Sequence, residues 1–172
     1  MLEFIAERDH NLMRRVHRWP APRWIRVWMI CATRGGDGWL WYAMGLVLLL
    51  FGGPARFAAV GAAALAAGTG ILVFLFLKKR TDRKRPCAIE PHCWAKLLPP
   101  DHFSFPSGHT ITAFAVALSL AAFYPSLLIG LLFCAGSVAL SRILLGMHFL
   151  SDVIAGALIG SGLAYGAVWL VR

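Results

Sequence analysis

The sequence predicts an all-α integral membrane protein, a compact bundle of about five transmembrane helices with an N-terminal amphipathic helix at the membrane surface. Three observations carry that expectation. Hydrophobic residues make up 59% of the 172-residue chain and mean hydropathy is +0.67, beyond the range of an ordinary soluble domain. Charge-free runs cover residues 38–55, 57–77, 103–141 (His109 aside) and 153–171, and a spanning helix needs roughly 20 apolar residues. No run alternates apolar and polar residues with period two, which argues against a membrane barrel.

Residues 1–18 place Leu2, Ile5, Leu12, Met13 and Val16 among Glu3, Glu7, Arg8, Asp9, Arg14, Arg15 and Arg18. This is helical spacing without a continuous apolar core, so it fits a surface helix and not a secretory signal. Pro20 and Pro22 end it, and Trp24-Ile25-Arg26-Val27-Trp28 reads as interfacial because tryptophan favours the headgroup level. The runs 38–55 and 57–77 each predict a span. The long third run is interrupted at Tyr124-Pro125, where a proline without an N–H disfavours helix continuation, giving spans over 109–123 and 126–142. The run 153–171 is the last span, with Gly156, Gly160 and Ala164 spaced by four as a candidate packing stripe. The chain reads as one membrane-embedded domain over 1–172. Residues 1–37 form its interfacial segment and 78–108 its main polar loop.

Span parity brings three polar clusters to one membrane face. Lys78 closes the 57–77 span, and Arg85-Pro86 follows in the loop. Pro106-Ser107-Gly108-His109 opens the next span from that same side, and the returning span ends at Ser141-Arg142, with His148 in a short turn and Asp152 opening the last helix. Each cluster suits an anion. Ser107-Gly108-His109 precedes a helix whose free N–H groups and dipole favour negative charge. An ordinary serine N-cap is the plainer alternative. Arg85 and Arg142 offer planar donor forks for phosphate oxygens, and Lys78 adds a point charge. Snorkelling at the membrane surface is their alternative, and it fits Lys79, Arg80 and Lys84 better than Arg142. His148 and Asp152 are four apart and share a helical face. A carboxylate on one imidazole nitrogen would fix the tautomer and leave the other free as a nucleophile; a histidine satisfied for stability alone is the competing view.

These residues resemble the type 2 phosphatidic acid phosphatases, membrane lipid-phosphate phosphatases that share a core with bacterial acid phosphatases and vanadium haloperoxidases. The pattern is Lys, six residues, Arg-Pro; then Pro-Ser-Gly-His; then Ser-Arg, five residues, His, three residues, Asp. It is met at Lys78 and Arg85-Pro86, at 106–109, and at Ser141-Arg142, His148 and Asp152. The resemblance implies that His148 attacks phosphorus with Asp152 orienting it. His109 would protonate the leaving oxygen and then activate water. Lys78, Arg85, Ser107, Gly108 and Arg142 would hold the phosphoryl oxygens. The implied partners are a lipid phosphate and the bilayer, with no nucleic acid, no cofactor and no metal.

Rival chemistries fit less well. A metal hydrolase built on His109, His148 and Asp152 would place a divalent ion among cations, and no His-Glu-x-x-His spacing occurs. A serine protease using Ser107 has no need of Lys78, Arg85 and Arg142. A non-catalytic binder of acidic lipids accounts for the charge but not for the His148–Asp152 pair. Orientation is contested within the sequence. Fifteen of the seventeen Lys and Arg residues fall on the site side, leaving Arg56 and Arg172 opposite. The positive-inside rule then points to the cytoplasm, whereas the resemblance implies an extracytoplasmic site in a bacterial inner membrane. Cys87 and Cys93 are close enough to bridge, and two free thiols are equally compatible with their spacing. The loop 87–105, with Trp94, Leu97, Leu98 and Phe103, is expected to border the substrate entry.

Overall fold

The computed structural model describes residues 2–81, 83–89 and 103–172. Cys93, Trp94, Leu97, Leu98 and most of the expected entry loop lie outside the described residues. The chain forms α1 (Leu2–Arg18), α2 (Arg23–Arg34), α3 (Leu40–Phe51), α4 (Arg56–Lys78), the short α5 (Pro86–Ile89), α6 (Gly108–Phe123), α7 (Leu128–Leu144) and α8 (Leu150–Val171). Extended pairing among the described residues is an isolated antiparallel bridge between Lys84 and Phe103. Among the described residues every named element is a helix, and the protein is an integral membrane protein.

Among the described residues, three helical stretches are long and apolar enough to cross a membrane, Gly53–Lys78, Pro125–Leu144 and Leu150–Val171. The expected spans over 57–77, 126–142 and 153–171 fall within them. The 109–123 span is α6, whose 16 residues extend about 24 Å at 1.5 Å each, short of a ~30 Å hydrocarbon core. It occupies the centre of the bundle, packed on α4, α7 and α8, so its ends sit among neighbours. The 38–55 run is not one long helix. Gly38 (φ 126°) kinks a wide turn over Gly35–Trp39 before α3, and Gly53 (φ 68°) breaks the chain after it, conformations that glycine adopts without the Cβ penalty. Only twelve residues remain helical between those breaks.

Residues 24–28, read from the sequence as interfacial, are helical. They lie in α2, which leads into the wide turn. Met29 is buried with Leu144, Leu145 and Met147, and Trp28 stacks on Phe133 of α7 at 5.7 Å. Trp24 and Val27 remain exposed, so α2 buries one face and leaves tryptophan on the other.

The proline break holds. Tyr124 leaves the helical region (φ −127°, ψ 75°), and its hydroxyl donates to the Gly52 carbonyl at 2.8 Å. The α8 stripe is a backbone contact: a Cβ at Gly156 would stand 2.8 Å from the Ser107 carbonyl oxygen, and one at Gly160 would overlap the Ile111 carbonyl oxygen. Small residues allow α8 to approach α6 this closely, and that approach sets the opening of α8 beside the opening of α6.

Candidate active site

Short hydrogen-bonded clasps hold the three polar clusters together. After α4, residues 83–85 run against 103–104, with Ser104 N–H donating to the Arg83 carbonyl at 2.8 Å. The Cys87 N–H at the start of α5 donates to the Gly146 carbonyl at 3.1 Å, fixing the first cluster to the third. Gly146 has φ 67°, a turn that favours glycine. The Arg142 carbonyl then accepts from the N–H groups of Met147 and His148, both at 3.0 Å. Arg142 and His148 are therefore locked to each other through the backbone. Cys87 carries a free thiol.

His148 is 2% exposed. Its Nδ1 lies 2.6 Å from the Ser104 carbonyl oxygen, an acceptor only, so Nδ1 carries the proton and Nε2 the lone pair. An Arg85 Nη1 donor faces Nε2 at 3.1 Å while also donating to the Met147 carbonyl at 2.9 Å. Burial pushes the imidazole pKa down from 6.5 to about 4, with Arg142 and Arg85 adding to the fall and Asp152 opposing it. The ring is neutral at pH 7, as a nucleophile must be.

Asp152 stands differently from the sequence expectation. Its Oδ2 is 3.8 Å from His148 Nδ1, beyond hydrogen-bond range. That oxygen accepts the Phe149 N–H at 2.8 Å and so caps α8, while Oδ1 accepts from Arg83 Nη1 at 2.7 Å. The helix start and the guanidinium together hold the carboxylate, so Asp152 acts on His148 through its field and the Ser104 carbonyl orients the ring. Arg83 Nη2 reaches Asp9 of α1 at 2.7 Å, and Asp9 also accepts from the Ser151 N–H at 3.2 Å and hydroxyl at 2.5 Å. The surface helix is thereby tied directly to the site.

A cavity of about 340 Å³ lies beside this cluster, lined among others by Asp37, Phe74, Arg85, Gly108, His109 and Arg142. Arg142 Nη1 donates to Thr33 of α2 at 2.5 Å. His109 Nε2 is 2.6 Å from Asp37 Oδ1. Lys78 stands one turn beyond Phe74, with Nζ 5.0 Å above that ring. Ser107 is fully buried, and its hydroxyl pairs with Thr110 Oγ1 at 2.9 Å instead of capping the N–H groups of α6.

Sequence reasoning therefore named Arg85, Gly108, His109 and Arg142, which line one cavity, and His148, whose Nε2 meets Arg85 beside it. It missed Asp9, Thr33, Asp37, Arg83 and Ser104. Asp37 carried a usable signal as the only acid between Asp9 and Asp82, at the head of an apolar run. The carbonyl of Ser104 carried none, because a backbone acceptor is available at every residue.

The sequence model of the PAP2 superfamily matches residues 56–172, the stretch containing all three clusters. The chain belongs to that superfamily. Lipid A 1-phosphatases from Rhizobium johnstonii and Rhizobium etli are 38% and 39% identical to it over 58 and 57 residues. Those alignments cover 34% and 33% of this chain and 24% and 25% of the relatives, so the chain matches about a quarter of their length. Aquifex aeolicus LpxE superposes with a TM-score of 0.76 at 26% identity, covering 92% of this chain and 93% of that one. The PAP2-type phosphatidylglycerolphosphate phosphatase of Bacillus subtilis superposes at 0.74 with 23% identity, covering 96% and 85%, a likeness of fold.

Proposed function

We propose that this PAP2 protein is a metal-independent lipid phosphatase that removes phosphate from a membrane lipid through a phosphohistidine at His148. The observation that carries the reading is the state of His148. It is a buried, neutral imidazole whose Nδ1 is committed to Ser104, and whose Nε2 lone pair meets Arg85 beside the cavity holding Arg142 and His109. A phosphoryl group entering there would draw Arg85 onto its oxygens and free Nε2 to attack phosphorus. Arg85, Arg142 and the N-terminus of α6 would stabilise charge on the equatorial oxygens, with Lys78 and Ser107 in support. His109 would protonate the departing oxygen and later take a proton from the attacking water.

The lipid character of the substrate is supported by a second cavity of about 350 Å³, apolar, between α3, α4 and α6. It shares Gly38, Tyr42, Ile71 and Thr112 with the site cavity, so a hydrocarbon tail could lie there while its phosphate is held by the arginines. Candidate substrates are phosphatidic acid, phosphatidylglycerol phosphate and isoprenyl diphosphates such as undecaprenyl diphosphate. The Rhizobium relatives add a lipid A 1-phosphate. In this reading the whole chain is one phosphatase domain of a bacterial inner membrane, with its site on the extracytoplasmic face.

The test is inorganic phosphate release by detergent-purified protein in EDTA across those lipids, with His148→Ala as control. Release that His148→Ala abolishes, together with an acid-labile, alkali-stable phosphoenzyme in the parent protein, is the expected result. Folded protein silent on every lipid, yet retaining anionic lipid, would favour the non-catalytic binding reading.

A further inference from the structure

Among the described residues one acid lines the cavity, and the packing around it is specific. Asp37 sits in the wide turn between α2 and α3, with glycine on both sides. A Cβ at Gly36 would stand 2.8 Å from Val138 Cγ1 and 3.5 Å from His109 Cδ2, so only glycine lets the turn lie this close to α7 and to the histidine ring. Gly38 has φ 126°, and a Cβ there would meet the Tyr42 ring at 2.8 Å. Between these constraints the Asp37 carboxylate reaches His109 Nε2 at 2.6 Å. Arg85 and Arg142 line the same cavity, and two guanidiniums work against a charged imidazole. A carboxylate in contact with the ring works in the opposite direction.

We propose that Asp37 is the positioning residue of the acid–base histidine, holding His109 by Nε2 and stabilising its protonated form. The inference rests on the phosphatase reading above. With Nε2–H donated to Asp37, Nδ1 is the nitrogen that exchanges protons. In the first half-reaction the bond from His148 Nε2 to phosphorus forms as the bond from phosphorus to the leaving oxygen breaks, and the proton on His109 Nδ1 passes to that oxygen. In the second, water loses a proton to Nδ1 as its oxygen bonds phosphorus and the phosphorus–nitrogen bond breaks. Asp37 bears no substrate group in either step.

The proposal separates two kinds of leaving group. A nitrophenolate departs without a proton, whereas an alkoxide needs one. Single-turnover phosphorylation would be compared for an amphiphilic nitrophenyl phosphate and a matched alkyl phosphate, in parent protein, Asp37→Asn, Asp37→Glu and His109→Asn. Asp37→Asn is expected to slow transfer from the alkyl ester about 10–100-fold, the size of effect typical for loss of an orienting partner. Transfer from the nitrophenyl ester should be nearly unchanged, with phosphohistidine accumulating because hydrolysis is slowed. KM should hold, and Asp37→Glu should restore part of the alkyl rate. His109→Asn should show the same pattern more strongly, up to the ~10²–10⁴ of general acid catalysis.

Equal losses on both esters, with a lowered melting temperature in Asp37→Asn, would make the contact structural and overturn the proposal. So would unchanged or faster turnover, the latter marking Asp37 as an obstacle to substrate. If His109→Asn itself shows no leaving-group dependence, the role given to His109 fails, and that failure is distinguishable from one confined to Asp37.

Discussion

His148 and Asp152 show how far a motif can be read before its contacts are known. A separation of four residues correctly put both on one side of a turn. It could not show that the Asp152 oxygens are claimed by the Phe149 N–H and by Arg83. Because the Ser104 carbonyl fixes the imidazole tautomer, Asp152→Asn should leave a working nucleophile and lower kcat about 10–100-fold, as expected for removing a supporting group. Loss as deep as that of His148→Ala would mean that Asp152 orients the ring itself. A second consequence concerns pH. The folded His148 has a pKa of about 4 against 6.5 for the free side chain, so between those values the unfolded chain binds a proton that the folded one does not. Its contribution to stability is complete above pH 6.5 and is lost as pH falls through 4. The full effect is roughly 3 kcal/mol. Thermal midpoints of the parent in detergent should drop across that window, and His148→Asn should flatten the drop. Parallel slopes for the two proteins would contradict a buried neutral imidazole.

At the scale of elements, two contacts decide whether the site holds its shape. The first is α8 on α6. Gly160→Ala puts a Cβ against the Ile111 carbonyl oxygen and 3.1 Å from the Ala115 nitrogen, both backbone atoms that cannot rotate away. Overpacking of this kind costs about 1–3 kcal/mol, and activity should fall with the melting temperature because α8 carries Asp152 in its first turn. Gly162→Ala, where a Cβ meets nothing within 4 Å, serves as the control and should be neutral or slightly stabilising. The second contact is α1. Its apolar spacing predicted a surface helix, and Met13 does pack against Ala139, Ile143, Phe149 and Val153. Nothing in the α1 pattern signals that Asp9 is 5% exposed and bonded to Arg83 and Ser151, because an acid among arginines reads as an ordinary solvated face. Helix spans, the proline break and the glycine stripe were legible because each follows from local chemistry or spacing. The kink at Gly38, the shortened α3 and the bonds to Asp9, Asp37 and Ser104 depend on residues far apart in the chain, which no local pattern encodes.

For the whole molecule the open physical question is which face carries the site, because charge count and family likeness oppose each other. The positive-inside rule counts Lys and Arg near span ends as topogenic signals. In this fold several site-side cations have structural roles instead. Arg83 bridges Asp9 and Asp152, Arg85 is buried against Met147 and His148, Arg142 is buried against Thr33, and Lys78 rests over Phe74. Cations required by the fold or by an anionic substrate are retained whichever way the chain inserts, so the bias overstates the cytoplasmic signal. The remainder are the α1 and α2 arginines together with Lys79, Arg80, Lys84 and Lys96, and both helices lie on the site side, α1 being fixed to it through Asp9. A single reporter on α1 therefore reports the face of the site. Asn11 is exposed, and Asn11→Cys in a background with Cys31, Cys87, Cys93 and Cys134 changed to serine provides that reporter. In intact cells stripped of their outer layers, a membrane-impermeant maleimide should label Cys introduced at position 11, as an extracytoplasmic site requires. Labelling only after the membrane is permeabilised would put the arginines and the site together in the cytoplasm, and the lipid phosphates hydrolysed would then be those of the inner leaflet.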